Sequence, residues 1–103
     1  MIFKNDIITH IKNNNIGLIP VKGISMEPVL LDGDLIFVKS YQDYSIGDIV
    51  VFNYPNEGYL VHRIVGIEKG AIICKGDNSK RKEIIIQRQI LGKVIDHLPK
   101  RLQ

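Results

Sequence analysis

The sequence DIVVFNYPNEGYLVHRIVGIE, residues 48–68, decides the fold class of this chain. It contains two runs rich in β-branched and aromatic residues, 48–54 and 59–68, separated by the turn-forming tetrad Pro55-Asn56-Glu57-Gly58. This pattern is typical of two antiparallel strands joined by a short turn. We therefore predict a β-hairpin here, and the residues on both sides of it repeat the pattern on a smaller scale.

The flanking sequence from Ile16 onward predicts further short strands. They are expected at residues 18–22, 35–39, 71–75 and 90–95. Turn-forming residues separate them, at Asp32-Gly33-Asp34, Ser45-Ile46-Gly47-Asp48 and Glu68-Lys69-Gly70. Many short strands with frequent turns favour a mostly-β domain, in which Asp34 and Asp48 open strands as structural residues.

The beginning of the chain has a different periodicity. Phe3, Ile7, Ile8 and Ile11 recur at helical spacing, and either Asn5 or Asp6 could cap the first turn. Residues 3–13 are therefore predicted to form one short amphipathic helix that lies on the sheet.

Length and composition predict one domain with one core. The chain has 103 residues, of which 45% are hydrophobic and 24% charged, close to the globular average. We expect a single domain over 1–103, with an N-terminal helix and lead-in at 1–17, a β core at 18–95 and a polar tail at 96–103.

Neither a membrane span nor a secretory signal is predicted. A spanning helix needs about 20 consecutive apolar residues, and the apolar runs here are far shorter. The first twenty residues also lack the apolar centre of a signal peptide, so a cytoplasmic location is the expectation. The single cysteine, Cys74, excludes an internal disulfide and is expected to be a buried, unreactive thiol.

The net charge of +3 is concentrated in Lys80-Arg81-Lys82 and Lys100-Arg101, which solvated loops explain adequately. No aromatic residues interleave with these charges, so nucleic acid is not the expected partner, although a small nucleic-acid-binding β-domain is kept as an alternative. No metal or other cofactor is expected.

Candidate chemistry lies in Gly23-Ile24-Ser25-Met26-Glu27-Pro28, directly after the predicted strand 18–22. A flexible glycine and a proline that cannot continue a sheet ladder place Ser25 at a break in the strand. A hydroxyl there can project from the sheet edge, with backbone N–H groups free to face an oxyanion. Taken alone, the segment is explained more simply by a turn serine that bonds its own backbone.

The wider context changes this interpretation, because five further blocks follow in order. They are Asp32-Gly33-Asp34, Gly47-Asp48-Ile49-Val50, Val61-His62-Arg63-Ile64-Val65-Gly66, Lys75-Gly76-Asp77-Asn78 and Leu91-Gly92-Lys93-Val94. From about residue 18 to residue 95, this order and spacing resemble the S24/S26-type serine peptidases, the clan of type I signal peptidases and LexA-like self-cleaving repressors. The resemblance implies a bent sheet or partly open barrel with one short helix.

The resemblance also implies roles for individual residues. Ser25 corresponds to the nucleophile and His62 to the general base, the histidine variant of a position that is lysine in many bacterial members. An imidazole with a reference pKa near ~6.5 can accept the serine proton at neutral pH. Met26 is expected to pack under the serine. Gly23 stands where some relatives have a hydroxyl that completes the oxyanion hole, so backbone N–H groups, chiefly that of Ser25, must suffice.

The third catalytic residue is open between two acids. Asp77 is the leading candidate to orient His62, and a turn aspartate is its simpler explanation. Glu83 is the nearest later acid and the weaker candidate. His10 and His97 match no motif and are expected at the surface.

Other bases and other functions also stay open. Lys22, Lys39 and Lys75 could supply a serine-lysine dyad, although their polar neighbours suggest solvent exposure. The resemblance implies a serine endopeptidase that cleaves a peptide or protein substrate through an acyl-enzyme. A cytoplasmic leader peptide is the preferred substrate, because too few residues precede the motif for a repressor domain and no anchor is expected. The alternative is a non-catalytic peptide-binding module on the same fold.

Overall fold

The computed structural model describes residues 4–103, and the burial of side chains from residue 7 onward. The elements in chain order are α1 (Lys4–Lys12), β1 (Gly17–Pro20), β2 (Leu35–Lys39), β3 (Ile49–Tyr54), β4 (Gly58–Glu68), β5 (Ala71–Lys75), β6 (Lys82–Ile85) and β7 (Ile90–Leu98). Two 3₁₀ turns follow β6 and β7, at Gln87–Gln89 and Lys100–Leu102. The prediction of a mostly-β domain with one short helix is confirmed.

The strands in residues 4–103 form one antiparallel sheet in the order β1-β2-β7-β3-β4-β5-β6. β1 and β6 are its edges, so the sheet is open. Register shifts in β2, β3 and β4, the last between Ile64 and Gly66, bend the sheet. The hairpin predicted from residues 48–68 is present as β3 and β4, whose register pairs Val50 with His62.

Strand β6 was not predicted from the sequence. Its residues alternate exposed and buried in the order Lys82, Glu83, Ile84 and Ile85, so a glutamate faces inward beside Ile85. Ile84 is 68% exposed whereas Glu83 is fully buried. A strand usually directs its apolar residues inward and its charged residues outward. Here Glu83 points inward and Ile84 outward, which is the reverse.

The helix packs on the sheet as predicted. Ile11 is fully buried in a cluster with Met26, Leu30 and the inner residues of β2, and Ile7 and Ile8 pack against this cluster. Phe3, the first residue of the predicted apolar stripe, lies outside the described residues, as do the side chains of the two candidate caps. Within residues 4–103, no helix combines the length and the apolarity needed to cross a bilayer.

A second apolar cluster lies under strands β3 to β6. It contains Val50, Phe52, Ile64, Ile72, Cys74 and Ile85. The thiol of Cys74 is buried as expected, and burial raises its pKa to about 12, helped by the nearby charge of Glu83. This cluster forms the apolar wall beside which the candidate site is built.

Candidate active site

The serine loop, residues 21–31, leaves β1 and carries Ser25 on its outer turn. Gly23 adopts a φ of 84°, a conformation that favours glycine, and its N–H donates to Asp32 Oδ1 at 2.8 Å. Met26 is only 1% exposed and anchors the loop in the core, as expected from the sequence. Ser25 itself stays partly exposed. The fold therefore holds a serine hydroxyl at the surface, on a loop whose next residue, Met26, is buried in the core.

His62 lies on β4 with its imidazole turned to the inner face of the sheet. The residue is 6% exposed, and its ring meets that of Phe52 at an angle of 64°, with 6.1 Å between the centroids. Its Nε2 lies 3.1 Å from Ser25 Oγ. The structure thus brings together the two residues that the sequence predicted as nucleophile and base, across 37 residues of chain.

Glu83 makes the second contact of the His62 ring. Its Oε1 lies 2.7 Å from His62 Nδ1, and the glutamate side chain is fully buried. An ionised carboxylate can only accept hydrogen bonds, so with Glu83 in this form Nδ1 is the nitrogen that carries the ring proton. Nε2 then has a free lone pair that can accept the hydroxyl proton of Ser25. The three side chains form a continuous hydrogen-bonded chain from an exposed hydroxyl to a buried acid.

Asp77, the leading sequence candidate for the acid, occupies a different position. Its two carboxylate oxygens accept from Arg63 Nε at 2.9 Å and Arg63 Nη2 at 2.8 Å. This bidentate pair lowers the pKa of Asp77 and raises that of Arg63. Both carboxylate oxygens of Asp77 are thus paired with Arg63, whereas the acid in contact with the His62 ring is Glu83. The structure therefore places Glu83, and not Asp77, against the imidazole.

The segment around Asp77 instead fastens the serine loop. The N–H of Asn78 donates to the carbonyl of Ser25 at 2.8 Å, and its side-chain amide donates to the carbonyl of Ile24 at 3.1 Å. The N–H of Asp77 points at the sulfur of Met26, 3.4 Å away. The sequence motif Lys75-Gly76-Asp77-Asn78 therefore holds the backbone of Ile24 and Ser25 in place.

Gly76 permits the serine loop and the imidazole to approach each other. A Cβ added at this position would lie 2.6 Å from the carbonyl oxygen of Ser25 and 3.1 Å from His62 Nε2. Distances under 3.0 Å force a neighbour to move, and here the nearest neighbour is backbone. Only glycine fits at this point without displacing the serine or the histidine.

The lysines considered as alternative bases have other contacts. Lys75 Nζ donates to the carbonyl of Gly76 at 3.0 Å, and Lys39 Nζ lies 5.5 Å from the ring centroid of Tyr41. Lys22 is exposed. Among the hydrogen bonds of residues 4–103, the one made by Ser25 Oγ is to His62. His10 and His97 are both exposed, as expected.

No group of three or more histidine, cysteine, aspartate or glutamate side chains in the described part of the chain is arranged to hold a metal ion. The contacts described above bring together a serine, a histidine and a glutamate, supported by the serine loop and by strands β4 and β6.

The sequence patterns place Glu83 second to Asp77 because they do not predict β6. One signal was available, since Glu83 and Ile85 are two residues apart and face the same side in a strand. The extended conformation of residues 82–85 would have directed Glu83 into the interior. A buried acid within reach of the motif histidine would then have been the stronger candidate.

Comparison with known proteins places this geometry in a family context. The catalytic subunit SEC11 of the signal peptidase complex from Ogataea parapolymorpha is 26% identical over 112 residues, covering 84% of this chain and 64% of the relative. SEC11 from Candida albicans strain SC5314 is 30% identical over 106 residues, covering 86% and 63%. Signal peptidase I from Bacillus amyloliquefaciens is 44% identical over 61 residues, covering 55% and 32%.

The chain spans just under two thirds of the length of the SEC11 proteins that it matches. The model of the family described as Peptidase S24-like matches residues 2–95, a range that includes the serine loop, the histidine of β4 and the glutamate of β6. The chain therefore belongs to the Peptidase S24-like family of S24/S26-type serine peptidases.

Proposed function

We propose that this protein is a serine endopeptidase of the signal-peptidase type, in which Ser25 is the nucleophile, His62 the general base and Glu83 the acid that orients the base. The observation that carries the proposal is the continuous chain Ser25–His62–Glu83, with contacts of 3.1 Å and 2.7 Å. Nucleophile, base and orienting group at hydrogen-bonding distance are the arrangement that acyl transfer needs.

In the acylation step, Ser25 Oγ attacks the carbonyl carbon of the scissile peptide bond. Its proton moves to His62 Nε2, and the imidazolium that forms is stabilised by the ionised Glu83. The carbonyl oxygen becomes an oxyanion, for which the backbone N–H of Ser25 is the proposed donor. The N–H of Gly23 is already used by Asp32, so Gly23 supports the loop conformation and is not proposed as an oxyanion donor.

The tetrahedral intermediate then collapses, and the C–N bond breaks. His62 gives its proton to the leaving amine, which leaves an ester between the substrate acyl group and Ser25. Water attacks this ester while His62 again accepts a proton, and collapse releases the carboxylic acid and restores the hydroxyl of Ser25. One peptide bond and one water are consumed, and one amine and one acid are formed.

The proposed substrate is an extended segment of a leader or signal-like peptide. β1 leads directly into the serine loop and is an edge of the sheet, so its outer side can pair with an added strand. Binding there would bring the scissile bond beside Ser25. The names of the similar proteins support a signal-like sequence as the substrate class. Within this substrate class, a cytoplasmic leader peptide is the substrate that we propose.

Labelling with a fluorophosphonate probe, followed by mass spectrometry of the intact protein, tests this function. We expect one adduct, on Ser25, which disappears in Ser25→Ala and falls to near background in His62→Ala. Ser45→Ala is the matched control, because Ser45 is exposed on a turn away from His62. A folded wild-type protein that the probe leaves unlabelled would favour the non-catalytic peptide-binding module, and labelling that survives in His62→Ala would move the base to a lysine such as Lys75.

A further inference from the structure

Glu83 has a second partner besides His62. Its Oε2, the oxygen that does not face the imidazole, accepts a hydrogen bond from Arg81 Nε at 3.0 Å. Glu83 is fully buried, whereas the Arg81 side chain is 52% exposed. The buried acid is therefore connected to the surface by an arginine that lies two residues before it in the chain.

Arg81 is itself held in place from its other side. Its Nη1 and Nη2 donate to the two carboxylate oxygens of Glu57, at 3.1 Å and 2.9 Å. Glu57 lies in the turn between β3 and β4, and the guanidinium also lies over the ring of Tyr54, 5.7 Å from the centroid. The two glutamates raise the pKa of Arg81. A half-exposed arginine is thus held in one orientation by three side chains, on β6, on β3 and in the turn between β3 and β4.

The charges around Glu83 show why this arginine matters. Burying a carboxylate is costly unless a charge and hydrogen bonds compensate it, and a neutral His62 supplies a hydrogen bond without a charge. The other titratable groups near Glu83 do not fill that role. Cys74 is a neutral thiol, Asp77 is acidic and paired with Arg63, and Lys75 donates to a backbone carbonyl. Arg81 is the cation in direct contact with Glu83.

Arg81 also sets the orientation of the carboxylate. A glutamate with one hydrogen bond can rotate about its terminal torsion, which is broad for this side chain. Two donors on two different oxygens, His62 on Oε1 and Arg81 on Oε2, fix the plane of the carboxylate. With the plane fixed, Oε1 stays on Nδ1 and the lone pair of Nε2 stays directed at Ser25.

We propose that Arg81 is a positioning residue of this site, held by Glu57, that supplies the positive charge beside Glu83 and keeps its carboxylate aligned with His62. The proposal rests on the proposed function for its effect on rate, although the alignment itself can be measured without catalysis. Arg81 is separated from Ser25 by Glu83 and His62, so its loss should lower kcat and leave KM unchanged.

Four substitutions test this assignment. Arg81→Gln removes both the positive charge and the guanidinium group that donates to the two glutamates. Arg81→Lys keeps the positive charge but lacks the guanidinium group. Glu57→Gln removes the carboxylate that accepts from Nη1 and Nη2 of Arg81. Lys82→Gln is the matched control, since it removes the same charge from the adjacent residue on the outward face of β6. Thermal melting of each variant confirms that it folds.

The rate of fluorophosphonate labelling and the kcat and KM on a peptide substrate are the first readout. We expect Arg81→Gln to lose roughly tenfold or more in acylation rate and kcat, similar to the loss of outer hydrogen-bond partners at metal sites. Arg81→Lys should recover part of this rate, Glu57→Gln should fall between wild type and Arg81→Gln, and Lys82→Gln should equal wild type.

The second readout is the proton NMR signal of the His62 Nδ1–H that donates to Glu83, assigned by its loss in His62→Ala. It is recorded in the Ser25→Ala background, so it needs no activity. The signal should move upfield or broaden in Arg81→Gln and stay unchanged in Lys82→Gln. If both readouts are the same in Arg81→Gln and Lys82→Gln, Arg81 is a surface residue and the assignment is wrong.

The two proposals fail in different ways. A protein whose Ser25 is never labelled, but whose Nδ1–H signal depends on Arg81, would overturn the peptidase function and support the positioning. A protein that labels normally in Arg81→Gln with an unchanged signal would support the function and overturn the positioning. Should Arg81→Gln not fold, the same comparison between Glu57→Gln and Lys82→Gln decides the question.

Discussion

His62 and Glu83 come from strands that are not neighbours in the sheet, β4 and β6, and their side chains meet at 2.7 Å across the inner face of β5. Cys74 of β5 pairs with Ile64 on one side and with Glu83 on the other, so the inner residues of the three strands form one row. His62 is two residues from Ile64 on the same face. The contact between histidine and acid therefore depends on the pairing of all three strands.

Replacing Glu83 by glutamine should cost far more rate than stability. Arg81 and the Nδ1–H of His62 are both donors, and a glutamine offers them one oxygen and one NH₂ group. If Arg81 keeps the oxygen, the NH₂ faces Nδ1 and favours the tautomer that carries its proton on Nε2. That tautomer cannot accept the proton of Ser25. We expect Glu83→Gln to lose roughly a thousandfold or more in acylation rate, by analogy with the mis-set tautomer of a serine protease triad.

The measurement is the fluorophosphonate labelling rate, taken together with the melting temperature. Stability should change little, because removing a buried charge offsets the weakened hydrogen bonds. The exposed Glu68 provides the matched control, and Glu68→Gln should label at the wild-type rate. A folded Glu83→Gln protein with full activity would show that His62 needs no orienting acid.

Asp77 gives the opposite expectation. Asp77→Asn breaks the bidentate pair with Arg63 but leaves the contacts of His62 in place, so most of the labelling rate should be retained. The cost should be about 1 kcal/mol in the free energy of unfolding, as for other partly exposed ion pairs. A large loss of rate without a loss of stability would return Asp77 to the role that the sequence favoured.

The same ion pair contributes to the pH dependence of stability. Arg63 lowers the pKa of Asp77 below its ordinary value of 3.8, so the folded protein binds this proton less readily than the unfolded chain does. The stabilisation is therefore complete above about pH 5 and is lost as the pH falls through the lower value of the folded state. Denaturant unfolding at pH 7 and at pH 3 should show a smaller acid-induced loss in Asp77→Asn than in wild type. Equal losses would show that the pair contributes nothing to acid sensitivity.

The sequence predicted the parts of this site that local patterns encode. Ser25 lies in a glycine-proline break and His62 in a strong hairpin, and the resemblance that implies their roles rests on such short motifs in order along the chain. Glu83 was ranked second because β6 presents Ile84 outward and the acid inward, a reversal that hydropathy alone interprets as a loop. Arg81 was assigned to a solvated basic run, since only the fold brings Glu57 to it. The register of the edge strand β6, which directs Glu83 toward His62, does not follow from the sequence alone.

Cys74 should be unreactive in the folded protein. Its thiol is buried and its pKa is raised to about 12, so the reactive thiolate is scarce at pH 8. Alkylation with iodoacetamide, followed by mass spectrometry, should give no adduct under native conditions and one adduct in denaturant. Rapid native modification would mean that the sheet opens locally between β5 and its neighbours, and it would weaken the case for a rigid His62–Glu83 contact.

Gly76→Ala should damage the site by moving the serine loop. The added Cβ would lie 2.6 Å from the carbonyl oxygen of Ser25, and the same carbonyl accepts the N–H of Asn78, so relief of the clash would lengthen that bond and displace the nucleophile. Gly66→Ala is the control, because its Cβ would meet only the side chain of Ile73, at 3.3 Å. We expect the labelling rate to fall at least roughly a hundredfold in Gly76→Ala, since small misplacements of a reacting group cost about that much, and to stay near wild type in Gly66→Ala. Equal rates in the two variants would mean that the serine loop tolerates displacement and that its fastening does not set the position of Ser25.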